Sequence, residues 1–127
     1  MKMRGFSIIE LLVTVSVIGV LAKVSMGSYT QNIFAVNRAE ANTQILMIQS
    51  VYESIYSQTN SYPAANTLPP SASIPSTRNY SYSTTITATG YKITATATGN
   101  QAKDTTCPTI TLDSAGTQGP SNLCWGS

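Results

Sequence analysis

The chain opens with an almost unbroken run of apolar residues at positions 6–22, interrupted by one carboxylate, Glu10, and followed by Lys23. The run is long enough to cross a membrane, at the short end of the usual range. A secretory signal places its small-residue cleavage site after the apolar run, ahead of a polar mature protein. Here the one position that resembles a processing site, Gly5, precedes the run. Cleavage at Gly5 would therefore keep the apolar segment in the mature protein.

Beyond Lys23 the apolar positions become periodic, with steps of three and four residues. This stripe consists of Ala41, Ile45, Ile48, Tyr52 and Ile55. Such spacing predicts that the helix continues with one apolar face, giving a single helix of over fifty residues. Gly27 lies between the two halves and favours a bend or local melting, whereas Pro63 ends the helix.

The second half of the sequence predicts a small antiparallel sheet. Residues 63–78 are rich in Pro, Ser, Ala and Thr and form an irregular connection. Two alternating runs, 80–88 and 91–97, are separated by a turn at Thr89 and Gly90, which is typical of a hairpin. Residues 109–113 supply a third strand. The predicted fold class is therefore α+β: a long N-terminal helix packed on three or four antiparallel strands.

Charge and composition exclude several classes of function. Charged residues make up only 9% of the chain, and Lys2 and Arg4 lie in the segment before Gly5. Without those two, five basic residues balance five acidic ones, so no basic field indicates a nucleic acid partner. There is no histidine and no paired carboxylate in the second half, and serines lack a nearby base. These features predict a protein that is not an enzyme and holds no cofactor.

The two cysteines, Cys107 and Cys124, lie near the C-terminus without C-x-x-C spacing. Zinc is not indicated, because two cysteines without any histidine do not supply the four nitrogen or sulfur ligands of a structural zinc site. The first segment is expected to direct the chain across a membrane, and disulfides form in the oxidising compartments beyond it. One disulfide between the two cysteines is therefore the simplest prediction. Loop-closure models assign about 3 kcal/mol to a loop of this length.

The residues before and after Gly5, K-M-R-G-F-S-I-I-E-L-L, closely resemble the class III signal of type IV pilins and pseudopilins. The resemblance implies that a prepilin peptidase cuts between Gly5 and Phe6 and methylates the new N-terminus. It also implies an assembly role for Glu10. The implied parts are a leader, a hydrophobic membrane or filament-core helix and a periplasmic or extracellular globular domain, at residues 1–5, 6–28 and 29–127.

A physical argument supports the same role for Glu10. A lone carboxylate in hydrocarbon is costly or becomes neutral, so it needs a partner. Cleavage would create an amine at Phe6, one helical turn away, and the amine of a neighbouring subunit is an equivalent partner. The alternative is an ordinary signal anchor that tolerates an acid near the interface. That alternative leaves Gly5 and the basic leader unexplained.

The C-terminal part, from Tyr91 to Cys124 and Trp125, is similar to small type IVa minor pilins, in which a disulfide closes the last loop. For Trp125 a ring packed over the disulfide and an exposed adhesive ring are both considered. The chain departs from the family at Gly27, where a proline is usual. The resemblance implies the type IV pilin fold with a C-terminal disulfide loop.

The expected function is that of a structural subunit of a type IV pilus serving adhesion, motility or DNA uptake. The short globular half favours a minor subunit. Implied partners are other pilins, prepilin peptidase, the assembly machinery and, before assembly, the inner membrane of a Gram-negative bacterium. The pilus itself is extracellular.

Two alternative functions remain open. One is a pseudopilin of type II secretion, for which Asp104 and Asp113 are weak calcium candidates; turn or surface roles are the competing expectation. The other is a DNA-receptor pilin, for which Arg78, Lys92 and Lys103 are scattered phosphate contacts. With so few cations, nucleic acid is not the expected partner.

Overall fold

The computed structural model describes residues 5–65, 67 and 78–126. It has one long helix, α1, four antiparallel strands, β1 to β4, and two short 3₁₀ helices. In chain order these are α1 Ile8–Thr59, β1 Tyr80–Thr87, β2 Gly90–Ala97, the first 3₁₀ helix Gly99–Lys103, β3 Thr109–Asp113, β4 Gln118–Gly119 and the second 3₁₀ helix Asn122–Trp125. This confirms the predicted α+β class. Most of the predicted connection, at residues 66 and 68–77, and the leader residues 1–4 lie outside the described residues.

The 52 residues of α1 confirm the predicted helix of over fifty residues. At its start the Ser7 carbonyl accepts the first helical N–H bonds, at 3.0 and 3.2 Å. At its end Asn60 has a φ of 55°, a left-handed conformation that asparagine tolerates better than most residues. Pro63 then prevents continuation. The residues around Gly27 are helical in the single chain.

The chain consists of two compact units, Met1–Ile33 and Phe34–Ser127. In the first unit every described residue is exposed. Among the described residues, α1 is the helix that is long and apolar enough to cross a membrane. The functional boundaries predicted after residues 5 and 28 stay predictions.

The sheet of the second unit has the strand order β1-β2-β3-β4. Its hairpin turn differs from the predicted one: Thr87 pairs with Gly90, so the turn consists of Ala88 and Thr89. Gly90 is the first residue of β2 and is buried. Only glycine fits here without a shift, because a Cβ at this position would lie 2.8 Å from the Cβ of Ser114. The glycine therefore serves a close approach between segments, and the turn lies one residue earlier than predicted.

The core lies between α1 and one face of the sheet. The predicted helix stripe is confirmed, with Ile55 half-buried at its end and Phe34 added at its beginning. The buried core cluster comprises Ala41, Ile45, Ile48, Tyr52, Tyr80, Tyr91, Ile93, Ala95, Cys107, Ile110, Leu112 and Cys124. Within this core the hydroxyls of Tyr52 and Thr84 form a hydrogen bond of 2.8 Å.

Candidate assembly site

The N-terminal segment presents its apolar side chains on every side of the helix. Phe6 is 79% exposed, and Ile8 is 83% exposed. The hydroxyls of Thr14 and Ser16 are bonded to the helix itself: Thr14 donates to the carbonyls of Glu10 and Leu11 at 3.0 and 2.8 Å, and Ser16 donates to the Leu12 carbonyl at 2.8 Å. Burying this surface in lipid or protein would therefore leave none of those hydroxyls without an acceptor.

Glu10 lies exposed in the first turn of α1, where the partial positive charge of the helix N-terminus favours a carboxylate. No described side chain forms an ion pair with it. Gly5 and Phe6, the predicted processing residues, lie exposed directly before the helix. The structure thus places Gly5, Phe6 and Glu10 within one short segment, and their processing and assembly roles stay predictions.

The predicted disulfide between Cys107 and Cys124 is confirmed, with both residues buried and their Cα atoms 5.6 Å apart. It fixes the C-terminal loop against the sheet. Asn42 of α1 donates from Nδ2 to the Cys124 carbonyl at 3.0 Å. Trp125 packs against the core cluster and donates from Nε1 to the Gly119 carbonyl at 3.2 Å. Trp125 therefore has an internal packing role.

A buried ion pair, which sequence reasoning missed, joins α1 to the loop before β3. Arg38 donates from Nε and Nη2 to the two carboxylate oxygens of Asp104, both at 2.6 Å. The Asp104 side chain is only 2% exposed and that of Arg38 15%. The expected surface role of Asp104 is therefore wrong, because this loop folds inward onto the helix. The expected turn role is confirmed, since Oδ1 of Asp104 accepts from the N–H groups of Thr106 and Cys107 at 3.2 and 3.4 Å.

Gln101 extends the same network. Its Nε2 group donates to Asp104 and to the Tyr80 hydroxyl, both at 3.1 Å, and its Oε1 accepts from Asn37 at 2.8 Å. Burial alone would raise the pKa of Asp104, but the bonds and charge of Arg38, with backbone N–H donors, hold that pKa below its usual range. The only sequence signal was an arginine beside the apolar stripe, which does not identify its partner.

Asp113 has the turn role expected of it. Its carboxylate accepts from the N–H groups of Ala115 and Thr117, at 3.0 and 2.8 Å. The Thr117 N–H is the main reason that the pKa of Asp113 lies below its usual range. Asp113 also pairs in register with Lys92 of β2. Both calcium candidates, Asp104 and Asp113, are therefore engaged by protein donors.

The remaining two DNA candidates, Arg78 and Lys103, come from the same end of the sheet. Arg78 is exposed, and its carbonyl accepts from the Thr98 hydroxyl at 3.3 Å. Lys103 is exposed at the end of the 3₁₀ helix that follows Thr98. Neither forms an ion pair with a carboxylate of the described residues. Lys92 differs from them, since it lies opposite Asp113.

Comparison with known proteins identifies the family. A model described as "Type IV minor pilin ComP, DNA uptake sequence receptor" matches residues 27–111, and one described as "Prokaryotic N-terminal methylation motif" matches residues 1–22. The structure is similar to a solved one, "High-Resolution Structure of a Type IV Pilin from Shewanella oneidensis". The TM-score is 0.59 at 29% identity, over 72% of this chain and 97% of that one. The sequence matches none of the curated proteins with which it was compared.

These similarities confirm the predicted fold, resemblance and function. The pilin model covers more than half of the chain, and the methylation motif coincides with the apolar segment that begins α1. The solved type IV pilin shares the fold over 72% of the chain. An apolar helix behind a prepilin motif fits residence in the membrane before assembly into an extracellular pilus. The chain belongs to the family of type IV minor pilins.

Proposed function

We propose that this minor pilin is cleaved by prepilin peptidase between Gly5 and Phe6, methylated on Phe6, and assembled into a pilus through Glu10. The observation that carries the proposal is the match of residues 1–22 to the methylation motif. An exposed apolar helix with a single carboxylate in its first turn supports it. Other pilins, the peptidase and the assembly machinery are the partners.

The proposed role of Glu10 follows from electrostatics. In lipid or in a filament core this carboxylate lacks water, so its charged form requires a cation close by. Cleavage supplies one at the Phe6 amine. Pairing with the amine of a neighbouring subunit fixes the position of one subunit relative to the other along the filament axis, because each carboxylate pairs with one amine. The apolar surface provides the driving force, and the pair provides the register.

The test compares Glu10→Ala and Glu10→Gln with Glu40→Gln, a control carboxylate on the same helix but in the second unit. We expect both Glu10 variants to be cleaved normally, with Phe6 at the N-terminus by mass spectrometry, and to be depleted from sheared fibres. The Glu40 variant should assemble as the wild type does. Normal recovery of Glu10→Ala in fibres would show that the carboxylate is dispensable.

The localisation follows from the same steps. The precursor spans the inner membrane of a Gram-negative bacterium once, and the processed subunit leaves it for an extracellular pilus. We infer that its contribution is structural, because two of its aspartates and both cysteines already have structural roles in the described residues. Asp104 pairs with Arg38, Asp113 holds a turn, and both cysteines are joined.

A second candidate function is DNA binding, because the family model that matches residues 27–111 is described as a DNA uptake sequence receptor. Two exposed cations from the same end of the sheet, Arg78 and Lys103, are the side chains that we propose to contact phosphates. Lys92 is a weaker candidate because Asp113 lies opposite it. Two phosphate contacts give a shallow salt dependence, with a slope of roughly −2 in log affinity against log salt.

The DNA candidate is tested on the full-length chain in nonionic detergent. We expect retention of duplex DNA at low salt, weakened in an Arg78→Ala and Lys103→Ala double variant but little changed in Lys23→Ala, a control cation in the N-terminal unit. No retention of wild-type protein at low salt would exclude this function. Pilus incorporation of the double variant should be unchanged, which separates DNA binding from assembly.

A further inference from the structure

An open cavity of about 300 Å³ lies where the end of α1 meets the hairpin of β1 and β2. Tyr56, Ser61 and Tyr62 line it from the end of the helix, and Ile86 and residues 87–90 line it from the hairpin. All of these residues belong to the second unit. The volume is at the lower end of the range for ligand cavities in proteins, so the cavity suits a small molecule or one ring of a larger one.

The helix side of the cavity is an aromatic wall. Asn60 ends α1 in a left-handed conformation, and Tyr62 then stacks on Tyr56, with ring centroids 4.5 Å apart and 23° between the ring planes. Tyr62 also contacts the ring of Tyr91 edge-on at 4.9 Å, and Tyr91 lies 4.9 Å from the ring of Tyr52. Tyr52 and Tyr91 are buried in the core, whereas Tyr56 is 39% exposed. The outer pair of rings is therefore held in place before any ligand binds, which lowers the entropy cost of binding.

The hairpin side of the cavity supplies hydroxyl groups. In the described part of the chain, no hydrogen bond engages the side-chain hydroxyls of Thr87 and Thr89, and both residues are exposed. The hydroxyl of Thr59 in α1 differs, since it donates to the Ile55 carbonyl at 2.9 Å. Each threonine hydroxyl has one donor and can also accept. The hydroxyls of Thr87 and Thr89 are therefore available to a ligand in both capacities.

The charges around the cavity favour a neutral ligand. None of the described residues that line it is charged. The Glu53 carboxylate lies beside the aromatic wall, where it accepts from the hydroxyls of Tyr91 and Tyr62 at 2.7 and 3.5 Å. An anionic ligand would therefore be repelled by Glu53 and would meet no cation in the lining. A purely apolar ligand would cover the hydroxyls of Thr87 and Thr89 without bonding to them, which costs free energy.

We propose that this cavity binds one ring of an uncharged carbohydrate. A pyranose ring has a face of C–H groups, which packs on an aromatic ring, and a rim of hydroxyls, which exchange hydrogen bonds with threonine hydroxyls. These two features match the two walls of the cavity. The site is also separate from the cations proposed for DNA, because Arg78 precedes the start of β1 and the cavity lies at its end. A strand of eight residues is about 26 Å long. Carbohydrate binding here requires neither DNA binding nor assembly through Glu10.

Saturation-transfer difference NMR tests the proposal on the full-length chain in a polyoxyethylene detergent, which has no sugar headgroup. The probes are glucose, galactose and N-acetylglucosamine at millimolar concentrations. We expect signals from the ring C–H protons of at least one of these sugars. The expected Kd is about 1–10 mM, because a single ring has few atoms with which to gain binding energy. The absence of a signal from all three sugars overturns the proposal.

Variants of the two walls locate the binding site. The double variant Thr87→Val and Thr89→Val removes both hydroxyls and keeps the side-chain shape, and we expect it to raise the Kd about tenfold or more. Thr96→Val is the matched control, an exposed threonine of β2 that pairs with the opposite end of β1, and it should bind as the wild type does. Tyr56→Ala should abolish the signals of the ring protons. The fluorescence of Trp125 should show the variants folded, and the threonine variant decides alone if Tyr56→Ala does not fold. Wild-type affinity in either folded variant, or an equal loss in the control, overturns the assignment to this cavity.

Added duplex DNA distinguishes a neutral ligand from a nucleic acid in the same cavity. At low salt the sugar signals of the wild type should persist when DNA is present, whether or not the DNA binds elsewhere on the protein. Loss of those signals on addition of DNA would show that a polyanion occupies the cavity, and this result overturns the assignment of an uncharged ligand.

Discussion

Arg38→Ala removes the cation from a buried pair and leaves the Asp104 carboxylate in place. That side chain is 2% exposed and loses two charge-assisted hydrogen bonds of 2.6 Å. Its remaining donors are neutral: Gln101 at 3.1 Å and the N–H groups of Thr106 and Cys107 at 3.2 and 3.4 Å. These donors are longer and weaker than the guanidinium, so the negative charge is poorly compensated.

The expected cost is about 3 kcal/mol in the free energy of unfolding. Removing one member of a buried ion pair costs about 3–5 kcal/mol, and the lower end applies because Arg38 is 15% exposed and reaches solvent. This cost corresponds to roughly a hundredfold change in the ratio of folded to unfolded protein. Asp104→Asn should cost less, because the neutral amide needs no counter-charge and keeps an acceptor for the N–H donors.

Trp125 provides the assay, because it is the single tryptophan and packs against the core of the second unit. Urea unfolding of the full chain in nonionic detergent, followed by Trp125 fluorescence, reports on that unit. Arg78→Ala is the matched control: an exposed arginine that forms no ion pair with a described carboxylate. It should change the free energy of unfolding by less than about 0.5 kcal/mol.

The pH dependence tests the same reasoning. Because the folded-state pKa of Asp104 is depressed, its pair stabilises the wild type above the unfolded value of about 3.9. That stabilisation is lost as the pH falls through the folded-state pKa. Without Arg38, burial favours the neutral acid, so the gap between wild type and Arg38→Ala should narrow on acidification. A cost under 1 kcal/mol, or a gap that is constant from pH 7 to 3, would refute this account of the pair.

Two further predictions concern the C-terminal loop and the hairpin. The double variant Cys107→Ser and Cys124→Ser should lower the free energy of unfolding by about 3 kcal/mol. A reductant should shift the urea midpoint of the wild type but not that of the double variant. A shift that persists in the double variant contradicts the prediction. Gly90→Ala should cost about 1–3 kcal/mol by the same assay, because its Cβ meets Ser114. Adding Ser114→Gly to Gly90→Ala should recover much of that loss. Gly27→Ala is the control, because a Cβ at position 27 meets no atom within 4 Å, and it should not lower the free energy of unfolding. An equal loss in the two alanine variants contradicts the role of close packing at Gly90.

The elements with a clear hydrophobic period could be predicted from the sequence. The stripe from Ala41 to Tyr52 placed the second half of α1 on the sheet, because a period near 3.6 leaves one apolar side to bury. The alternation in β1, β2 and β3 likewise predicted the strands. The turn was misplaced by one residue because Gly90 resembles a turn residue, while its actual requirement is room for Ser114, a neighbour far along the chain.

The buried polar network was beyond sequence reasoning for a related reason. Arg38 and Asp104 lie 66 positions apart, and neither belongs to a pattern that predicts the contact. Gln101 looks like a surface residue of a short polar loop, yet it is 1% exposed and its side chain bonds to Asn37, Tyr80 and Asp104. Contacts between residues far apart in the chain give no periodic pattern in the sequence from which they could be predicted. The N-terminal methylation motif, by contrast, is local and could be predicted from adjacent residues.

The scarcity of charge has a spatial pattern that composition alone does not explain. Of the five acidic residues, Glu10 lies in the apolar segment, Asp104 is paired in the core, Asp113 holds a turn, and Glu53 accepts from the Tyr91 hydroxyl at 2.7 Å. Glu40 is exposed on α1. Three of the five acids, Asp104, Asp113 and Glu53, therefore accept hydrogen bonds within the fold, and their positions follow from these contacts.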